Sequence, residues 1–258
     1  MAMAVTMTKP TRGTALVTGG ARRIGRAIAL TLARAGYAVA VHARASQAPS
    51  QDLCDEIAAQ GGSAAAVFAD LARLDEVERL VPEAARALGP LTLLVNNASA
   101  FEADAVGSLD AALFDRAFAI NLRAPLFLAQ AFAAQAPDGA AIVNLLDQRV
   151  LKPTPLFVSY ALSKTALHAA TVSLAQALAP RIRVNAVAPG PVLPSPRQSE
   201  ADFVRQAAAL PLARRVTPQE IADTVLFLAL APSVTGTTVA VDGGQHLAWR
   251  TPDTEVTE

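Results

Sequence analysis

The run TALVTGGARRIGRAIALTLARAGYAVAVH, residues 14–42, decides the fold. It reads as a short apolar strand, a glycine-rich turn, a helix with apolar residues recurring along one face, and a second apolar strand. Two strands joined through a helix of this length are parallel neighbours, because a parallel pair needs a crossover rather than a tight hairpin. The strand residues form continuous Ala/Val/Leu runs instead of alternating with polar ones. That is the pattern of a sheet covered on both faces.

Outward from this unit the rhythm repeats. Strands are predicted at 14–18, 38–42, 64–68, 91–95, 140–146, 182–188 and 237–242, with helices at 23–35, 50–60, 73–87, 110–134, 157–179 and 218–230. The expectation is an α/β fold, a single Rossmann-type doubly wound domain spanning 1–258, with a seven-stranded parallel sheet and helices on both faces. Residues 1–12 and 250–258 are expected to be loose tails. The stretch 189–216 is the least regular, with Pro191, Pro194 and Pro196 opposing regular structure. A short helix fits 199–210, and the segment reads either as a substrate loop or as a surface connection.

The chain has 258 residues, with 22 acidic side chains balancing 22 basic ones, so no basic excess points to nucleic acid. Apolar stretches are expected to be broken by charges before membrane-spanning length, and the N-terminus lacks a signal-peptide pattern. Cys54 is the lone cysteine and is expected on a buried helix face. A cytoplasmic location follows as the default.

The turn after the first strand carries Thr18, Gly19, Gly20, Ile24 and Gly25. Between a strand and a helix N-terminus, such glycines let a phosphate approach the helix amides and the positive end of the macrodipole. Arg22 and Arg23 oppose that dipole at a cost of about several tenths of a kcal/mol each, which a bound polyanion would reverse. At the end of strand two stand His42 and Arg44, with no acid between Val39 and Gln51 to bind ribose hydroxyls. Arg44 suits a 2′-phosphate, helped by Arg23 and Ser46. NADP(H) is the expected cofactor.

YALSK places Tyr160 and Lys164 four residues apart, on one face of a predicted helix. A neighbouring ammonium is expected to lower the phenol's pKa and fit it for proton transfer. Together with TGGARRIG, the Asp70–Leu71 pair, VNNAS at 95–99, Asn121 and RVNAVAPGPV at 183–192, this segment resembles the short-chain dehydrogenase/reductase family over Thr14 to about Leu247. The resemblance implies that Asp70 lies by the adenine, that Asn96, Asn97 and Ala98 line the cofactor, and that Pro189 and Gly190 border the nicotinamide. It implies catalytic roles for Tyr160 and Lys164, with Lys164 also on the nicotinamide ribose and Asn121 supporting a proton path. It also implies a homotetramer, with the helices at 110–134 and 157–179 forming one interface.

Two departures stand out. Arg23 replaces a usual glycine, and Asp147 replaces the serine that normally stands thirteen residues before the tyrosine. Together with Ser99 and Phe101 they look like the pteridine reductase branch, which includes dihydromonapterin and dihydrofolate reductase relatives. A carboxyl group beside the ring can supply or relay the proton that a C=N reduction needs at nitrogen, provided burial raises its pKa. Arg23, Ser99, Phe101, Asp147 and Tyr160 are the expected substrate-binding residues. Alternatives remain at this point: Phe101 as an ordinary core aromatic, and Asp147 as a carboxylate simply paired with Arg149.

His42, His168 and His246 are scattered without ligand spacing, and no metal site is expected. No nucleophile elbow surrounds Ser163. Trp249 reads either as a subunit contact or as a cap over a neighbour's site. Three functions follow: reduction of a dihydropterin with NADPH, reduction of another carbonyl or imine, and a non-catalytic NADP(H)-binding sensor.

Overall fold

The structure, a computed structural model, describes residues 12–45, 47–195 and 197–249. The expected tails, apart from Arg12, lie outside the described residues, as do Ser46 and Pro196. Seven strands form one sheet: β1 (Thr14–Val17), β2 (Ala38–Ala43), β3 (Ala64–Phe68), β4 (Leu91–Asn96), β5 (Ala140–Leu145), β6 (Ile182–Pro189) and β7 (Thr238–Val241). All pairings are parallel, in the order β3-β2-β1-β4-β5-β6-β7. The order reverses between β1 and β4, and a crevice opens there at the carboxyl ends of the strands.

The helices are α1 (Arg23–Arg34), α2 (Gln47–Ala59), α3 (Leu74–Leu88), α4 (Ala111–Phe118), α5 (Ala124–Gln135), α6 (Val158–Leu178), α7 (Glu200–Ala208) and α8 (Pro218–Leu230). Adjacent strand residues point to opposite faces, so the sheet carries two cores. Val17, Val39 and Val95 pack with Ile28, Leu32 and Val225 on one side. Leu16, Leu94 and Ile142 pack with Leu80, Leu128 and Phe132 on the other. Each such side chain, fully buried, contributes about 1.5–3 kcal/mol. Cys54 is buried in α2, as its place in the helical pattern suggests. The edge strands β3 and β7 are less covered than β1, β2 and β5, whose residues are all buried.

Two expectations need correction. The helix predicted over 110–134 is interrupted by a wider π turn at Ala119–Arg123. Pro125 stands at the start of α5 and has no N–H to donate to the carbonyl four residues back, that of Asn121, so regular α-helical bonding cannot run through this point. The same stretch, Ala111–Gln135, is also long and apolar enough to cross a membrane by length and composition alone. Its Leu128 and Phe132 lie wholly inside the core, which gives the apolarity a packing reason.

Candidate active site

The site begins with the turn after β1. Gly19 has φ +62°, the left-handed region that glycine enters without strain. Gly25 is fixed by crowding instead: a Cβ there would stand 2.1 Å from the Gly19 carbonyl oxygen and 2.7 Å from Asn97 Nδ2. The turn is held by groups from the neighbouring strands. Thr18 Oγ1 accepts from the amides of Asn97 and Ala98, at 2.9 and 3.0 Å. Asn97 Nδ2 donates to the carbonyls of Thr18 and Gly19, at 2.8 and 3.2 Å.

His42, at the end of β2, is tied into the same turn. Its ring is buried, Nδ1 accepts from the Gly19 amide at 3.1 Å, and Nε2 therefore carries the proton and donates to the Ala69 carbonyl at 3.0 Å. Burial lowers its pKa, which keeps the ring neutral. With both ring nitrogens engaged, His42 braces the turn from behind. Arg22 caps α1 only by its backbone, with no side-chain cap bond and no acid in the first turn. Amides and the cations Arg22 and Arg23 gather at that N-terminus, with no acidic residue in the helix's own first turn. Glycines without room for a Cβ and an uncapped helix start fit a dinucleotide phosphate.

The expected catalytic residues meet at the carboxyl end of β5 and on α6. Tyr160 Oη donates to Asp147 Oδ2 at 2.9 Å. Asp147 also accepts from Arg149, through the backbone amide at 2.8 Å and through Nη1 at 3.2 and 3.1 Å to its two oxygens. Asp147 is thus paired with Arg149, as one of its two readings expected, and hydrogen-bonded to Tyr160 in the same cluster. Lys164 is only 2 % exposed and donates to the Leu145 carbonyl at 2.6 Å.

The expected effect of Lys164 on the phenol is overturned. Burial, and then the adjacent Asp147 charge and its hydrogen bond, raise the Tyr160 pKa well above its usual value, with Arg149 only partly offsetting them. The lysine itself is lowered to about 8, chiefly because burial penalises its charge. Tyr160 is therefore held as a phenol, a proton donor already engaged with an acceptor.

Around this pair lies a cavity of about 570 Å³, with Arg23, Ser99, Phe101, Asp147, Tyr160 and Lys164 on its walls. Ile24, Asn97, Pro189 and Gly190 also reach it, whereas Arg22, Arg44, Asp70 and Leu71 lie outside its lining. Leu71 is buried, and Asp70 accepts from the Ala72 amide at 2.9 Å. Gly190 packs so closely on the strand beside it that a Cβ would sit 2.6 Å from Asp242 Cα. Arg23 is itself at φ +52° and donates to the carbonyls of Leu193 and Pro194, at 3.3 and 3.1 Å, so its guanidinium lies on the 189–216 side of the cleft. Asn121 is fully buried below: it accepts from Ser99 Oγ and the Ala100 amide, and donates to the Ala100 carbonyl and Ser163 Oγ. Its side chain fixes the loop that presents Ser99 and Phe101.

Phe101 is not an ordinary core aromatic. It stacks on Phe157 with centroids 4.6 Å apart and planes 10° from parallel, and meets Tyr160 edge-on at 4.7 Å. Sequence reasoning missed Phe157, the site role of Arg149, and Arg197. Phe157 begins α6 at φ +58°, a left-handed conformation costly for an aromatic residue. Asp104 holds it there, accepting from Ser159 and offering its carbonyl to the Phe157 amide at 2.8 Å. Arg197 donates to the Phe101 carbonyl at 3.0 Å and lies 5.4 Å from its ring. The segment 199–210 does contain a short helix, α7, and its Phe203 and Gln206 line the far wall. Trp249 is largely exposed, and the neighbouring Ala248 carbonyl accepts from Lys152.

Comparison with known proteins places this geometry. The family described as enoyl-(acyl carrier protein) reductase matches residues 19–246. A crystal structure of FolM alternative dihydrofolate reductase 1 from Brucella canis, complexed with NADP, is 51 % identical with a TM-score of 0.91, covering 94 % of this chain and 97 % of that one. A blue fluorescent protein from a metagenomic library, in complex with NADPH, is 36 % identical with a TM-score of 0.85, covering 91 % and 98 %. The 3-oxoacyl-[acyl-carrier-protein] reductase FabG of Staphylococcus aureus is 35 % identical over 240 residues, 90 % of this chain and 98 % of its own.

Proposed function

The chain belongs to the short-chain dehydrogenase/reductase family of oxidoreductases, and from that premise we propose that it reduces a 7,8-dihydropterin to its tetrahydro form with NADPH. One observation carries the reading. Asp147 stands 2.9 Å from the Tyr160 hydroxyl in a cavity whose wall is the stacked Phe101–Phe157 pair. A flat aromatic face suits a planar heterocycle. A carboxylate where a hydroxyl is usual suits a ring bearing several N–H donors.

Two of the similar structures hold NADP or NADPH, which supports the choice of cofactor. The uncapped start of α1 would take the pyrophosphate, and Arg44, exposed after β2, the 2′-phosphate. Lys164 would hold the nicotinamide ribose. When bound, the nicotinamide supplies a hydride. The residues of the chain then bind the acceptor flat against Phe101, hold its edge through Arg23, Ser99 and Asp147, and deliver a proton from Tyr160 Oη to the reduced bond.

A second reading has its own support, the 3-oxoacyl reductase of Staphylococcus aureus, and would make the acceptor a ketone. NADPH consumption with dihydrobiopterin, dihydromonapterin, dihydrofolate and a simple 3-oxo ester separates the two. Turnover of at least one pterin is expected, and turnover of the ketone alone would reject the pteridine reading. Preference for NADPH is expected in the two dissociation constants, and an equal NADH affinity would contradict it. A homotetramer through the helices at 110–134 and 157–179 is the assembly proposed, to be checked by sedimentation.

A further inference from the structure

We propose that Arg149 is a positioning residue for proton transfer: it holds Asp147 as a hydrogen-bond acceptor on the Tyr160 hydroxyl, so that Tyr160 and not Asp147 surrenders the proton. The proposal rests on the reading of this cavity as a reductase site, but not on the acceptor being a pterin. In every contact described, Asp147 accepts: from the Arg149 amide, from Arg149 Nη1 and from Tyr160 Oη. The carboxyl oxygens are thus satisfied from two sides, by one group that cannot leave and one that can. When the phenol turns from Oδ2 to an incoming acceptor atom, the two Arg149 donors remain, and the carboxyl is not left bare in a half-buried site.

The placement of Arg149 supports a role beyond pairing. Its side chain is 21 % exposed, against 16 % for Asp147. Its guanidinium carbon lies 5.8 and 5.2 Å from the Phe101 and Phe157 ring centres, so one cation joins the aromatic wall to the acid. Its Nε is buried and has no hydrogen-bond partner among the described residues. The charged and titratable groups facing Asp147 are Arg149 from its own turn, and Tyr160 and Lys164 from α6. Arg197, beyond the phenylalanine pair, is matched by Glu102. Arg149 is also the cation that acts against the upward pressure on the phenol.

In the reduction, the Tyr160 O–H bond would break and its proton would go to the acceptor heteroatom, with NADPH, when bound, supplying the hydride for the adjoining carbon and leaving as NADP+. The phenolate would regain its proton from solvent, with Lys164 as the nearby cation to favour that return.

Arg149→Met keeps an unbranched stem and loses the charge, and Arg149→Lys keeps the charge. Each is compared with wild type for NADPH dissociation constant, KM and kcat over about pH 5 to 9, using a pterin, or a ketone where no pterin is turned over. The expected result for Arg149→Met is a fall in kcat of about tenfold or more near neutrality with NADPH affinity unchanged. Its kcat should also gain a limb on the acid side of the profile that wild type lacks, and Arg149→Lys should restore the wild-type profile in large part. The proposal is overturned if Arg149→Met keeps the wild-type profile, or changes KM alone, as a mere prop for the aromatic wall would. It is equally overturned if both variants lose NADPH binding along with turnover. Failure of every pterin, with a ketone turned over, counts against the proposed substrate and leaves the Arg149 comparison intact.

Discussion

The two sides of the cleft are built in opposite ways. On the β1–β4 side, Thr18, Asn97 and His42 form a closed set of hydrogen bonds between adjacent strand ends, and Gly19 and Gly25 leave no room for change. On the β5–α6 side, the wall is assembled from distant segments: Phe101 against Phe157, Arg197 reaching back to Phe101, and Asp104 capping a helix that starts in a strained conformation. The first side is a rigid cradle for a constant ligand. The second is a mosaic of single side chains, on which the proposed choice of acceptor and delivery of its proton rest.

That contrast predicts separable defects. Tyr160→Phe should break the second side most severely, lowering kcat by about two to four orders of magnitude while NADPH still binds. Unchanged turnover in a stopped-flow trace of NADPH oxidation would remove Tyr160 from the mechanism. Gly25→Ala should break the first side: its Cβ has only 2.1 Å to the Gly19 oxygen, so the turn must shift. A loss of about 1–3 kcal/mol in stability is expected, with weakened NADPH binding measured by calorimetry. A variant that binds NADPH as wild type does would show that the cradle is less rigid than described.

Lys164 couples the two sides through pH. Its pKa is about 8 in the folded chain, below the ordinary 10.5, so between those values the unfolded chain holds the extra proton. Stability without cofactor should therefore rise with pH across that window, by up to about 3 kcal/mol, and the full burial penalty should persist below it. Urea unfolding of wild type and Lys164→Met at about pH 7.5 and about pH 10 checks this, since only wild type should show the rise. The smallest expected effect is that of Phe157→Leu. Losing the stack on Phe101 should cost about 0.5–1.5 kcal/mol, seen as a higher KM for the acceptor with NADPH affinity unchanged. An equal loss on both ligands would blur the division between the two sides.

The same division explains what the sequence disclosed. The parallel sheet was legible because its strands are continuous apolar runs separated by amphipathic helices, and their edges fell within a residue or two of the predicted ones. The glycine turn was legible because its constraint is local. The position of His42 was legible but its orientation was not, since the ring turns inward only to meet Gly19 and Ala69, brought there by the crossovers. The direction of the Tyr160 shift was misread because helical spacing shows Lys164 as a neighbour but does not show burial, or Asp147 brought beside it from the end of β5. Phe157 and Arg197 carried no local signal. Each meets Phe101, which lies 56 and 96 residues away along the chain.

The most direct measurement is a crystal structure of the chain with NADPH and a non-reducible pterin. The account predicts the dinucleotide across the carboxyl edge of β1 and β4, its nicotinamide beside Lys164, and the pterin flat on Phe101 with a ring nitrogen within about 3 Å of Tyr160 Oη. A pterin bound elsewhere, or a phenol turned out of the cleft with the ligands in place, would contradict it.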